Sequence, residues 1–308
     1  MSFLMDHFLS TLYLIVPRLI SVAFFTLIER KTLALSQMRL GPNKISFKGL
    51  FQPLADAIKL LSKSYIYNIG SNKIIYNFFP GFIIILRLLI WVILPHLYFS
   101  SNWILTFIIV LTLLGIGVYP IMICGWASNT NYSIVGCIRG VAQCISYEIS
   151  LGVIVLGYII LLISSSTGQF RNSSRVIFLG AIFIVGNLLL YISLIAETNR
   201  SPFDFAEGES ELISGFNIEY SSVGFVIIFL AEYLRIFIVA SLVTSLIFNF
   251  QIFSLGGCLI VLIISWTWIQ LRASFPRYRY DSLIILAWKT LLPEGLVLIV
   301  CNCLFSLF

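Results

Sequence analysis

"SVGFVIIFLAEYLRIFIVASLVTSL", residues 222–246, is a run of twenty-five residues in which only Glu232 and Arg235 carry charge. About twenty predominantly apolar residues cross a hydrocarbon core of roughly 30 Å as a helix, and a helix satisfies its own backbone hydrogen bonds there. Comparable runs recur along the chain at about 3–28, 80–98, 103–124, 141–163, 176–195, 253–271 and 284–306. With 59% hydrophobic and 10% charged residues and a mean hydropathy of +1.02, the composition lies outside that of soluble globular domains. The expected fold is all-α, a polytopic membrane protein of eight transmembrane helices forming one domain over residues 1–308.

Charge distribution sets the expected orientation. Thirteen lysines and arginines fall in the odd-numbered loops between these spans, and only Arg171 and Arg175 in the even-numbered ones. The odd loops therefore face the cytoplasm or, in a mitochondrion, the matrix, with both termini on the opposite side. Topology accounts for the net charge of +6, and no nucleic-acid partner is expected. The N-terminal "MSFLMDHFLSTLYLIVP" has no early Lys or Arg and no small-residue cleavage site after its apolar stretch, so it reads as an uncleaved first span.

The six cysteines show no CxxC or Cys/His spacing, and only His7 and His96 are available as imidazole ligands. Buried small hydrophobes fit them better than metal, haem or cluster ligands. No nucleotide fingerprint or nucleophile paired with a base appears either. The chain is expected to bind no flavin, iron–sulfur cluster or metal, and to hold no complete catalytic site alone.

The first loop, 29–79, is long, and "FKGLFQPLADAIKLLSKSY" (47–65) places Leu50, Leu54, Ile58 and Leu61 on one helical face, with Asp56, Lys59 and Lys63 elsewhere on its surface. An amphipathic helix follows, lying at the membrane interface or packed on a soluble partner.

Charges inside spans are costly and mark partners or wet cavities. Glu148 sits two turns into the fourth span with only uncharged residues three and four positions away, so any ionic partner comes from another helix. Glu232 can pair with Arg235 one turn along its own helix. The fifth loop, 196–221, includes "AETNRSPFDFAEGESELISGFNIEY" (196–220), which holds six of the chain's thirteen carboxylates. Glu197 ends the fifth span and Arg200 follows three residues later on the same helical face. Clustered carboxylates near a membrane interior raise one another's pKa and titrate as a coupled group. A relay and a solvated acidic loop both remain open from the residues, though Phe203, Phe205, Leu212, Ile213 and Phe216 interleaved with the acids argue against simple solvation.

Several long stretches closely resemble one family. They are "ERKTLALSQMRLGPNK" (29–44), "GLFQPLADAIKLLSK" (49–63), "RGVAQCISYEIS" (139–150), the acidic stretch 196–220, "FLAEY" (229–233) and "RASFPRYRYDSLIILAWK" (272–289). All resemble the first membrane subunit of proton-pumping NADH:ubiquinone oxidoreductase, respiratory complex I. The resemblance implies a subunit that forms the membrane side of a ubiquinone chamber, docks the hydrophilic arm and couples quinone reduction to proton translocation. Its implied partners are other membrane subunits, the quinone-site subunits of the arm, membrane lipids and ubiquinone, with flavin and clusters held elsewhere. It assigns Arg30, Arg39, Asp56, Phe229 and Tyr233 to the chamber. Glu148, Glu197, Asp204, Glu207, Glu209 and Glu232, with Arg200 as counter-charge, fall to a proton or charge path, and Arg272, Arg277, Arg279 and Asp281 to arm docking.

Two positions depart from the family pattern: Ser46 where glycine usually follows "GPN", and Ser64 where glutamate is common. The competing readings are a homologous subunit of a membrane-bound hydrogenase-type complex and an independent ion transporter using Glu148 and Glu232. The expected location is the mitochondrial inner membrane, with a bacterial plasma membrane as the alternative.

Overall fold

A computed structural model describes residues 2–65, 70–94, 103–164, 184–205, 215–217, 219–248 and 254–307. The described residues are helices and the turns between them, with no strand among them. In chain order the helices are α1 (Ser2–Ser36), α2 (Gln52–Leu61), α3 (Lys73–Ile93), α4 (Trp103–Ile116), α5 (Val118–Ala127), α6 (Asn131–Ser164), α7 (Ile184–Glu197), α8 (Ser222–Leu246), α9 (Leu255–Ser274), α10 (Tyr280–Ile285) and α11 (Leu292–Leu307). Six described helical segments are long and apolar enough to cross a membrane, and α7 is a shorter apolar helix. The all-helical polytopic fold is as the sequence indicates.

Several boundaries differ from expectation, each for a local reason. α1 continues beyond residue 28 to Ser36, so Glu29, Arg30 and Lys31 lie on a helix and not in the first loop. The amphipathic segment forms a 3-10 turn at Phe47–Gly49 and then an α-helix over Gln52–Leu61. Pro53 sits in its first turn, where the missing N–H costs nothing, and the preceding Ser46 (φ 57°) and Lys48 (φ 55°) are left-handed. α3 begins at Lys73, seven residues before the expected start of the second span at about 80, and carries Pro80 inside it.

The third span is divided between α4 and α5 at Gly117. Pro120 removes the N–H that would bond the Ile116 carbonyl, which weakens the helix at that point. α6 starts at Asn131 and not near 141, so Arg139 belongs to a helix. Between α10 and α11, residues Leu286–Leu291 wind as a π-helix. The widened turn lies just before Pro293, whose ring would clash with the Lys289 carbonyl in a regular helix.

α6 is the hub: it packs against α5, α7 and α11, while α8 packs against α1, α3 and α9. The shared core includes Tyr147, Ile154, Leu190, Leu194, Leu234 and Ile238, all fully or nearly fully buried. Ile85, Leu89, Leu259 and Ile263 point outward, as expected of helices whose solvent is lipid. On the other side of α3, Tyr76 stacks on Tyr220 with ring centroids 4.3 Å apart and donates to the Glu219 carbonyl. Burial lifts the Tyr220 phenol above its ordinary range, so it acts as a neutral packing group.

Candidate functional site

The start of the acidic stretch is fastened to the helices around it. α7 ends at Glu197, and Asn199 takes a left-handed φ of 52° that turns the chain out of helical geometry. Gln143 of α6 donates to the Ala196 carbonyl at 3.2 Å and to the Phe203 carbonyl at 2.7 Å. Phe203 stacks on Tyr278 with centroids 5.4 Å apart, and the Tyr278 N–H donates to the Pro202 carbonyl at 3.1 Å. Asp204 completes the attachment through Arg277 at 3.5 Å. The residues up to Phe205 are therefore wedged between α6 and the segment that follows α9.

This turn changes the ion pairs that helical spacing suggests. Glu232 does not pair with Arg235 on its own helix. Arg235 forms a buried ion pair with Glu197, each side chain about 4% exposed, while Glu232 pairs with Arg200 at 3.5 Å. The cause is the left-handed Asn199: once the chain leaves the helix, Arg200 no longer follows the face of Glu197 and meets α8 at Glu232, one turn before the Arg235 that Glu197 engages.

The Arg235 guanidinium also lies 3.6 Å from the Cys144 sulfur. Glu148 occupies a notch made by a glycine: a methyl group at Gly115 would stand 1.9 Å from its Oε1. The charged groups that act on Glu148 are Glu197 and Arg235, from α7 and α8, as expected for an acid with no charged neighbour three or four positions away on its own helix.

At the end of α1, Glu29 is only 6% exposed. It accepts from the Tyr233 hydroxyl at 2.6 Å and forms an ion pair with Arg272 of α9. The Arg200 guanidinium lies over the Tyr233 ring, 4.6 Å from its centroid. A small cavity of about 20 Å³ touches Phe25, Glu29, Thr198, Arg200, Trp268 and Arg272. The series Arg272, Glu29, Tyr233, Arg200, Glu232 is thus continuous from α9 and α1 through α8 to the acidic segment.

Beyond the same end of α1 lies a cleft of about 540 Å³ lined by Arg30, Leu33, Arg39, Pro42, Lys44 and Gln52, among others. Arg30 bonds Asp56 of α2 at 2.5 Å, and Gln52 donates to the other Asp56 oxygen at 2.9 Å. Of the five residues assigned to the chamber, Arg30 and Arg39 line this cleft and Asp56 anchors its wall. Phe229 is not among the lining residues; its ring packs on Phe225 at 4.3 Å. Tyr233 turns toward Glu29.

The remaining assignments divide as follows. Glu207 and Glu209 lie outside the described residues. Arg272 and Arg277 are engaged within the chain by Glu29 and Asp204, whereas the Arg279–Asp281 pair, 3.8 Å apart, is well exposed. Among the described residues, no three His, Cys, Asp or Glu side chains group as a metal site would require.

Two residues escape the sequence reading. Glu29 falls at the edge of a hydropathic run, where nothing distinguishes a buried acid from a loop acid. Arg87, the one charged residue of α3 beyond its first residue Lys73, is 2% exposed; its position inside the span was the available signal.

Fold and site together define a polytopic membrane protein whose interior carries a connected network of carboxylates and guanidiniums. The family model described as NADH dehydrogenase matches residues 9–303. The chain is 44% identical over 295 residues to NADH-ubiquinone oxidoreductase chain 1 of Aedes aegypti, covering 95% of this chain and 94% of that one. The corresponding protein of Locusta migratoria is 46% identical over 292 residues, covering 94% and 92%, and that of Heterololigo bleekeri is 41% identical over 282 residues, covering 90% of each. The chain belongs to the NADH-ubiquinone oxidoreductase chain 1 family, the membrane subunit of respiratory complex I, and its partners are other subunits of that oxidoreductase.

Proposed function

We propose that this chain forms the membrane side of the ubiquinone chamber and links quinone reduction to proton translocation through its intramembrane carboxylates. The observation that carries the reading is the continuous series from Arg272 and Glu29 through Tyr233 and Arg200 to Glu232. The cleft beside it, about 540 Å³ with Arg30 and Arg39 in its wall, has the size and the few donors that a polar headgroup requires. A headgroup that accepts two electrons takes up two protons, and the developing negative charge is felt by the nearest members of the series. A change at Glu29 is transmitted through the Tyr233 hydroxyl and the Arg200 guanidinium to Glu232, and from α8 to Glu197 and Glu148. Asp204, Glu207 and Glu209 extend the path along the fifth loop.

The exposed Arg279 and Asp281, with the loop that carries Arg277, face the quinone-site subunits of the hydrophilic arm. The chain lies in the mitochondrial inner membrane with the odd loops on the matrix side and both termini opposite. Its substrate is ubiquinone, and the flavin and clusters belong to other subunits. The test is Glu148→Gln in the assembled complex, reconstituted into sealed vesicles. Proton pumping and quinone reductase activity are expected to fall while assembly persists; normal coupled turnover in the assembled variant refutes the path.

A further inference from the structure

Arg87 lies in the middle of α3, almost wholly buried. Its Nη1 finds no hydrogen-bond acceptor among the described residues, and none of the described carboxylates forms an ion pair with it. The guanidinium reaches across to the α4–α5 junction, where a methyl group at Gly117 would stand 3.0 Å from Nη2. The charged and titratable groups that face it are Arg235 and Glu232 on α8, Glu197 at the end of α7 and Cys144 on α6.

A lone guanidinium in such an interior is unfavourable unless charge elsewhere compensates it. The surrounding helices supply the compensation, and the balance is informative. The carboxylates Glu148, Glu197 and Glu232 stand against the guanidiniums of Arg87, Arg200 and Arg235. Two ion pairs join Glu197 to Arg235 and Glu232 to Arg200, which leaves Glu148 and Arg87. These two share a neighbourhood and not a contact, since Glu197 and Arg235 are charged neighbours of both.

We propose that Arg87 is a positioning residue of the carboxylate path, the counter-charge that lets Glu148, Glu197 and Glu232 carry negative charge together. No other residue of α3 or of the α4–α5 junction brings a positive charge to this crevice. Without Arg87, the guanidiniums that the described residues bring to these three acids are Arg200 and Arg235, a weaker balance that disfavours three ionised carboxylates together.

The inference rests on the carboxylate-path reading, and the experiment separates the two. Arg87→Met and Arg87→Lys are made in the full complex, and the pH dependence of NADH:quinone reductase activity and of proton pumping is measured in native membranes. Loss of the cation disfavours the ionised carboxylates, so the acid limb of the profile in Arg87→Met is expected to move up by roughly half to one pH unit. Activity on that limb then falls about three- to tenfold, while NADH oxidation by an artificial soluble acceptor is unchanged. Arg87→Lys restores the limb to its original position.

If Arg87→Met does not assemble, lysine decides: an assembled Arg87→Lys with the original acid limb supports the charge role. An Arg87→Met complex with an unshifted limb overturns the inference, as does a lysine variant that fails to assemble or to restore the limb. If Glu148→Gln leaves coupled turnover intact, it is the path reading that fails; if Glu148→Gln uncouples while Arg87→Met keeps its limb, only Arg87's role is lost.

Discussion

Arg235→Met is the perturbation whose energetics follow most directly from the structure. The Arg235–Glu197 side chains are each about 4% exposed, so neither water nor salt screens the pair. Removing one partner of such a pair leaves an uncompensated buried charge, at a cost of about 3–5 kcal/mol. The Arg30–Asp56 pair, with side chains 53% and 32% exposed, is worth under about 1 kcal/mol by comparison. Appearing wholly in the unfolding rate, 3 kcal/mol shortens the inactivation half-life by about two orders of magnitude. The assay is the half-life of NADH:quinone reductase activity in native membranes held at elevated temperature, with assembly followed on native gels. The double variant Glu197→Gln/Arg235→Met removes both charges and is expected to recover most of the lost half-life. If Glu197 belongs to the proposed carboxylate path, coupled activity in this double variant stays low even as stability returns. Equal damage from the single and the double variant would refute the argument, because the loss would then come from packing and not from a stranded charge.

Two further variants probe the site's geometry. Gly115→Ala places a methyl group where Glu148 Oε1 now sits 1.9 Å away; because the displaced group is the end of a flexible side chain, assembly is expected to hold while the ratio of protons pumped to NADH oxidised falls, measured in sealed vesicles. Tyr233→Phe deletes the hydroxyl that donates to Glu29 but keeps the ring under Arg200; a hydrogen bond to a charged acceptor is worth about 1.5–3 kcal/mol, and quinone reductase activity is expected to drop at least several-fold with artificial-acceptor activity unchanged.

The membrane fold is readable because hydropathy acts over twenty residues at a time and tolerates local error. Span ends depend instead on single residues whose effects oppose one another. Pro80 lies inside α3 without ending it, while the span that holds Pro120 is interrupted at Gly117. The acidic segment and Glu148 stand out because charge is rare in an apolar chain. Their partners do not: the Glu232–Arg235 spacing permits a local pair that three-dimensional packing overrides. Glu29 and Arg87 show the same limit from the other side, since burial is decided by helices distant in sequence. Glu29 meets Arg272 across most of the chain.

The exchange of partners has a mechanical consequence. A pair between Glu232 and Arg235 would be satisfied within α8 wherever that helix moved, and would couple it to nothing. In the observed arrangement α8 directs one charge to Glu197 and the other to Arg200, on either side of the left-handed Asn199. Sliding α8 along its axis strains both pairs together, and rotating it withdraws at least one. The same helix carries Tyr233, bonded to Glu29 on the cleft side, and the same segment continues to Asp204, held by Arg277. A shift of α1 or α9 that moves Glu29 therefore pulls on α8 through Tyr233, and α8 pulls on the acidic segment through two ion pairs. Apolar packing alone would let these helices adjust independently by small amounts. Ion pairs in a low-dielectric interior resist separation far more steeply, so these contacts tie α1 and α9 to α8 and the acidic segment.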